Sequence, residues 1–257
     1  MAALKRLTFA VIVPCFNEIE IIETCARRLL ELEELHAVVL VDDGSTDGSA
    51  RACAALAEKF QPRLQAVLLP ANLGKNLATH AAVRQTSADV IVIFDADLTV
   101  DPVHLPAIIE SFSRNLQSFV YGSRFRRAME QGAMPRLNRW GNRFFAVWVS
   151  SLVGRRVSDV LCGVKAMPRE SFLKIAPSSC RWGDFDLMFG AADQGLEFRE
   201  IPLPYYRRPA GASKMKVVSA GLRFLRLCLS RTPRALARRF SPATNSSSKP
   251  EQNRHFD

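Results

Sequence analysis

The chain carries Asp95-Ala96-Asp97 directly after an unbroken apolar run, Val90-Ile91-Val92-Ile93-Phe94. A mostly β-branched run of this length reads as a buried strand. Residues i and i+2 of a strand project to one side, and a bend at the strand end would bring both carboxylates to one point. Carboxylates that close repel each other unless a cation lies between them. A divalent ion on a phosphate-bearing substrate would serve, because Mg²⁺ takes one or two carboxylates and fills its shell with phosphate oxygens. The plainer alternative is a polar loop closing a strand, with Asp97 starting a turn.

Three more polar clusters follow apolar runs in the same way. Asn17-Glu18 comes after Thr8–Val13, a strand expected to stop at Pro14. Asp42-Asp43-Gly44-Ser45-Thr46-Asp47-Gly48-Ser49 comes after Ala37–Val41, and it combines turn chemistry with helix N-caps. Asn72-Leu73-Gly74-Lys75 comes after Gln65–Leu69. Between the runs lie helical stretches, the first marked by Ile22, Cys25, Leu29 and Leu32 at 3-4-3 spacing, the second running to about Phe60. Alternating strands and helices with short joints give a parallel sheet with right-handed crossovers. Ligands then sit beyond the carboxyl ends of the strands, where all four clusters fall. Neither GxxxxGK[ST] nor GxGxxG is present. Several carboxylates and one lysine suit a nucleotide held by base and ribose, with a metal neutralising its diphosphate.

Further along, a helix at Leu105–Phe112 and a strand at Phe119–Tyr121 lead into Gly122-Ser123-Arg124-Phe125. The next segment is basic (Arg126, Arg127, Arg136, Arg139, Arg143), and its centre, Leu137–Val153, reads as helix. Trp140, Phe144, Val147, Trp148 and Leu152 line one broad face of it. That face is either core packing or a helix lying at a membrane surface. Ser158 to Lys165 is turn-rich, Arg181 to Leu187 opens another helix, and Leu196–Ile201 is a late strand. Ser213 is placed to cap a last helix, in which Ser219, Arg223, Arg226 and Ser230 share one face among Val, Leu, Phe, Cys and Ala. From Ser241 there is little to bury, so 241–257 is expected to be a disordered tail.

With 257 residues, 48% hydrophobic and 23% charged, the composition is that of an ordinary globular chain. The net charge of +10 points to acidic partners. It is concentrated late: Ile201 to Phe240 holds no Asp or Glu but carries Arg207, Arg208, Lys214, Lys216, Arg223, Arg226 and further arginines. The continuous apolar face of this basic stretch favours lipid over nucleic acid as its partner. The cysteines form no CxxC pair, which argues against zinc and for a reducing compartment. No run reaches the roughly 18 apolar residues of a membrane span, and the N-terminus reads as a first strand, not a signal peptide.

Taken together, the motifs resemble those of family-2 glycosyltransferases of the GT-A fold, in particular dolichol-phosphate mannose and glucose synthases and bacterial polyprenyl-phosphate glycosyltransferases. The resemblance covers roughly residues 8 to 216. It rests on Val13-Pro14-Cys15-Phe16-Asn17-Glu18, Val41-Asp42-Asp43-Gly44-Ser45-Thr46-Asp47, Asn72-Leu73-Gly74-Lys75, Asp95-Ala96-Asp97-Leu98, Gly122-Ser123-Arg124-Phe125, Asp159 with Cys162-Gly163-Val164-Lys165, and Gly211-Ala212-Ser213-Lys214. Two positions depart from the pattern: Asn76 stands where the family usually has Gly, and Thr99 where it often has Gln.

The resemblance implies a mostly parallel Rossmann-like α/β sheet flanked by helices, with a catalytic domain over 1–215 and a basic amphipathic segment over 216–240 that touches an anionic membrane. It implies that Pro14, Phe16, Asn17, Glu18 and Asp43 hold the base and ribose of a UDP- or GDP-sugar. Asn72, Gly74, Lys75, Asp95 and Ala96 would line the same pocket. Asp95, Asp97 and Thr99 would receive Mg²⁺ or Mn²⁺. Arg124, Arg136, Arg139 and Lys214 would face the acceptor phosphate, with Asp97, Arg124, Arg136 and Asp186 nearest the chemistry. The expected reaction is metal-dependent, inverting transfer to a polyprenyl phosphate at the cytoplasmic face of a membrane. The alternative is transfer to a hydroxyl, with Asp184 or Asp186 as base.

Overall fold

The structure, a computed structural model, describes residues 7–211, 214, 215 and 217–240, with side chains in the last helix described as far as residue 233. The expected cap at Ser213, the basic Lys216 and the tail from Ser241 lie outside the described residues.

Strand and helix alternate as the apolar periodicity requires. β1 (Phe9–Cys15), α1 (Ile22–Leu30), β2 (Ala37–Asp42), α2 (Ser49–Lys59), β3 (Leu64–Leu68), α3 (Lys75–Gln85) and β4 (Val90–Ile93) follow in order. Then come α4 (Leu105–Arg114), β5 (Ser118–Ser123), α5 (Arg136–Val153), β6 (Lys165–Pro168), α6 (Arg169–Leu173), α7 (Asp184–Asp193), β7 (Glu197–Pro202) and α8 (Val217–Phe240). The sheet order is β3-β2-β1-β4-β6-β5-β7. β6 alone runs antiparallel, between β4 and β5.

The central strands are buried on both faces, which is why they read as unbroken apolar runs. Val11, Val13, Leu40 and Val92 point into one core layer with Ile22 and Phe112. Ile12, Val39, Val41 and Ile91 point into the other, with Ala82, Phe145, Phe185 and Phe224. This is the two-residue alternation of a pleated strand.

Two expectations change. β1 does not stop at Pro14 but continues to Cys15, with Pro14 opposite Val41 of β2. Even-numbered residues of β1 face β4, as when the Phe94 N–H donates to Ile12 O at 2.9 Å. The β1–β4 ladder ends at Ile12 and Ile93, so the N–H that proline lacks has no ladder partner to lose. The turn-rich reading of Ser158 to Lys165 also missed β6. Its sequence, Lys-Ala-Met-Pro, gives no strand signal, yet Lys165 is fully buried there.

The broad aromatic face of α5 divides. Asn142, Phe145, Ala146 and Val149 are buried, and Trp148 and Leu152 pack against that core. Trp140 and Val147 are 70% and 74% exposed, and Leu137 and Phe144 are exposed beside them. Core packing is therefore not what these four residues do. α8 buries Ala220, Phe224 and Cys228 and exposes Ser219, Arg223, Arg226 and Ser230, the polar face expected. Phe224 stacks on Phe185 with ring centroids 4.5 Å apart.

Candidate active site

A cavity of about 630 Å³ opens at the carboxyl ends of β1, β2 and β4. Loops crossing from one strand end to the next build it. The Asn17 N–H donates to Ser45 Oγ at 2.9 Å, and the Thr46 N–H donates to Asn17 Oδ1 at 2.8 Å. Asn17 therefore joins the loops after β1 and β2 and does not line the cavity. Its φ of 54° is one of two left-handed non-glycine values among the described residues, the other being Leu98 at 51° beside Asp97. Such conformations persist where the surroundings over-determine them. Pro14, Phe16 and Glu18 line the cavity from the same loop.

Asp43 holds the next wall. Its two oxygens accept from the Leu73 N–H at 2.7 Å and the Gly74 N–H at 2.8 Å, fixing the loop that contains Asn72. Gly74 has φ 98°, and a Cβ there would fall 2.8 Å from Arg181 Cβ, so only glycine fits. Burial pushes the Asp43 carboxyl above the ordinary carboxylate range, against the pull of those two N–H groups. Lys75 follows at the start of α3, with Nζ 2.5 Å from Asp95 Oδ1.

Asp95 and Asp97 lie together in the cavity with Ala96 and Thr99. Asp97 Oδ1 accepts from the Thr99 hydroxyl at 2.8 Å and the Thr99 N–H at 3.1 Å. Thr99 thus orients Asp97, and its hydroxyl hydrogen is directed at that carboxylate. One observation fits a divalent ion here. A Cβ on Gly163 would lie 2.1 Å from Asp95 Oδ2, so the glycine leaves that oxygen its space. Asp95 and Asp97 are two hard oxygen donors, the number Mg²⁺ or Mn²⁺ needs when a diphosphate supplies others.

The basic residues sort sharply. Arg124 lines the cavity, but Nε and Nη2 are 2.7 and 2.8 Å from the Asp159 carboxylate. Lys214 lines it with Nζ 2.9 Å from Asn17 O. Arg136 and Arg139 are exposed on the first turn of α5 and do not line it. Asp186 also stands outside. Its Oδ2 accepts from Asn76 Nδ2 at 2.7 Å, the Ser178 hydroxyl at 2.8 Å and the Ser178 N–H at 2.9 Å. That carboxylate is a tether, and Asn76, the departure from the family pattern, is its partner. Asp184 does line the cavity, 2.5 Å from the buried Lys165 Nζ.

Arg208 was missed as a site residue. Its Nη2 is 2.7 Å from Asp97 Oδ2 and its Nη1 is 3.0 Å from Glu18 Oε1. In sequence it is one of many cations in an acid-free run, and its partners lie 111 and 190 residues away. No local spacing announces such a pair.

At its far end the cavity becomes apolar, between Leu137, Gly141 and Phe145 of α5 and Val217, Gly221 and Phe224 of α8. Glycine inside a helix costs about 1 kcal/mol relative to alanine. A Cβ at Gly141 or Gly221 would meet nothing within 4 Å, so packing does not require either glycine, and both widen the slot.

Comparison with known proteins gives the family and the fold. The model of glycosyl transferase family 2 matches residues 10–175. The dolichyl-phosphate hexose transferase of Haloferax volcanii is 30% identical over 212 residues, 82% of this chain and 88% of its own length. Glycosyltransferase AglJ of the same organism is 30% identical over 204 residues, 79% of this chain. The undecaprenyl-phosphate 4-deoxy-4-formamido-L-arabinose transferase of Pseudomonas aeruginosa is 30% identical over 234 residues, 87% of this chain. The chain spans 64% and 66% of the last two, a little under two thirds of each. Among solved structures, glucosyl-3-phosphoglycerate synthase of Mycobacterium tuberculosis, with Mn²⁺, UDP-glucose and phosphoglyceric acid, superposes with a TM-score of 0.68 at 19% identity, covering 88% of this chain and 80% of that one. The seven-stranded, mostly parallel sheet is the GT-A fold, and the chain belongs to glycosyl transferase family 2.

Proposed function

We propose that the protein transfers a sugar, with inversion, from a UDP- or GDP-sugar to a polyprenyl phosphate. The observation that carries this reading is the continuity of one cavity from the carboxylates and lysine at the strand ends to an apolar slot between α5 and α8. A nucleoside diphosphate sugar suits the first part and an isoprenoid chain the second. The names of the Haloferax and Pseudomonas relatives support a polyprenyl-phosphate acceptor. The UDP-glucose and Mn²⁺ of the Mycobacterium structure support the donor and the metal.

In this reading Asp43 and the loop it holds seat the nucleoside, and Lys75 faces the diphosphate beside Asp95. Mg²⁺ or Mn²⁺ held by Asp95 and Asp97 would supply Lewis-acid stabilisation of the departing diphosphate. The acceptor phosphate is already anionic near neutral pH, so it needs a cation to position it and no base to deprotonate it. In this reading Lys214, which lines the cavity, supplies that cation. A hydroxyl acceptor would need a carboxylate base. Asp186 is held away by three donors, and Asp184 is paired with Lys165.

The two helices that flank the slot also carry exposed apolar residues, Leu137, Trp140, Phe144 and Val147 on α5 and Val218, Leu222 and Leu229 on α8. Arg136, Arg139, Arg143, Arg223 and Arg226 are exposed on the same two helices. Exposed apolar side chains and arginines on one pair of helices suit peripheral docking on an anionic membrane, here its cytoplasmic face. No helix among the described residues is long and apolar enough to cross a membrane. Filling the slot tests the acceptor: Gly221→Leu should raise KM for a long polyprenyl phosphate at least about tenfold and leave donor hydrolysis unchanged. An unchanged KM would contradict the lipid reading.

A further inference from the structure

The segment after β7 crosses back over the donor end of the cavity. The Tyr206 N–H donates to Thr99 O at 2.8 Å, and the Gly211 N–H donates to Glu20 Oε2 at 3.1 Å. Between these two anchors Arg208 reaches down, its side chain 21% exposed, and bridges Asp97 and Glu18. Asp97 Oδ1 already accepts twice from Thr99, and Oδ2 takes Arg208. Asp95 stands differently: Oδ1 takes Lys75, while Oδ2 lies against Gly163. A divalent ion therefore meets a cation at each carboxylate, Lys75 at Asp95 Oδ1 and Arg208 at Asp97 Oδ2, but at Asp97 both oxygens are already engaged.

The exchange has an asymmetry. An ion arriving alone must separate Arg208 from Asp97 and leave a partly buried guanidinium with one carboxylate fewer. Breaking one side of such a pair is unfavourable because the remaining charge loses its compensation. An ion arriving with a diphosphate brings new anionic oxygens, which form strong, often bidentate bonds with a guanidinium. Arg208 then changes partner instead of losing one. Binding free energies are reciprocal, so an interaction that ties metal to diphosphate also ties diphosphate to metal.

We propose that Arg208, through its pair with Asp97, makes tight metal binding conditional on the diphosphate. The inference rests on the reading that Asp95 and Asp97 receive the ion of a nucleotide-sugar donor. It adds that the chain excludes the ion until that donor is present, through a residue on a different segment from both ligands.

The test is direct Mn²⁺ binding to the full chain, read from the paramagnetic resonance of free Mn²⁺, with and without saturating UDP. Wild type should bind Mn²⁺ weakly alone and at least about tenfold more tightly with UDP, within the usual range of coupling between sites. R208Q should tighten UDP-free Mn²⁺ binding at least about fivefold and shrink the effect of UDP by a similar factor. R208K, which keeps the charge, should stay weak without UDP. UDP-free affinity in R208Q within twofold of wild type, or weaker, would overturn the inference while the metal reading stands. No Mn²⁺ binding by wild type even with UDP would overturn both. If R208Q does not fold, R208A replaces it on the same criteria, and absence of any UDP effect in wild type overturns the inference without either variant.

Discussion

Arg124 lays two of its guanidinium nitrogens on the carboxylate of Asp159, Nε at 2.7 Å and Nη2 at 2.8 Å, in a pair that is almost wholly buried. Asn142 donates to the same carboxylate, and the Tyr205 ring lies 5.0 Å from the guanidinium. The arginine expected to face a phosphate is therefore already neutralised, and it serves first to brace the cavity wall. Removing one partner of a buried pair strands the other charge. Asp159→Ala should cost about 3–5 kcal/mol of stability, read by denaturant unfolding. A loss under about 1 kcal/mol would mean that the pair is not the brace described.

Gly163 decides whether Asp95 can stay where it is. A Cβ at 163 would lie 2.1 Å from Asp95 Oδ2 and 2.9 Å from Asp95 Cβ, so Gly163→Ala must turn the carboxylate away. The expected outcome is a folded protein whose affinity for UDP with Mn²⁺ falls at least about tenfold in calorimetry. Wild-type affinity would show that Asp95 is not a donor-site ligand.

The exposed part of α5 should carry membrane contact without carrying stability. Trp140 and Val147 are 70% and 74% exposed, and surface substitutions away from special features usually change stability by no more than about 0.5 kcal/mol. Trp140→Glu with Val147→Glu should keep the melting temperature and lose co-sedimentation with anionic liposomes. Retained sedimentation would move the membrane contact elsewhere.

Burial raises the carboxyls of Glu18 and Asp43 above their ordinary values, for Glu18 against the pull of Arg208 and Lys214. A carboxyl whose folded pKa is raised binds protons more readily folded than unfolded, so stability falls as pH rises from the unfolded to the folded value. Across the window just above the ordinary carboxylate range, wild type should therefore lose stability relative to Asp43→Asn as pH increases. The amide's mismatch with the Leu73 and Gly74 N–H groups shifts the variant equally at every pH, so the slope is the readout. A flat or rising difference in melting temperature would contradict the raised value.

Much of this architecture was legible because strands covered on both faces read as apolar runs, as in β1, β4 and β2 up to Val41. The chemistry was legible where it sits directly after such a strand, as at Asp43 and Asp95. Legibility failed where long-range packing overrides local pattern. Lys165 lies in a strand because Asp184 receives its charge in the interior. Asp184 and Asp186 are two residues apart on one helical turn, so they face different ways, one into the cavity and one to Ser178 and Asn76. Arg136 looked like Arg124 in composition, but it begins a helix on the outside.

The central claim is that Asp95 and Asp97 serve transfer from a nucleoside diphosphate sugar to a lipid phosphate. The most direct measurement follows labelled sugar from a panel of UDP- and GDP-sugars into an organic-extractable product, with polyprenyl phosphate and Mg²⁺ or Mn²⁺, for wild type and Asp97→Ala. The account predicts a lipid product from one donor, lost on chelation and reduced at least about a thousandfold in a folded Asp97→Ala. A lipid product that survives both chelation and Asp97→Ala would contradict the metal assignment, and metal-dependent donor hydrolysis without any lipid product would contradict the acceptor.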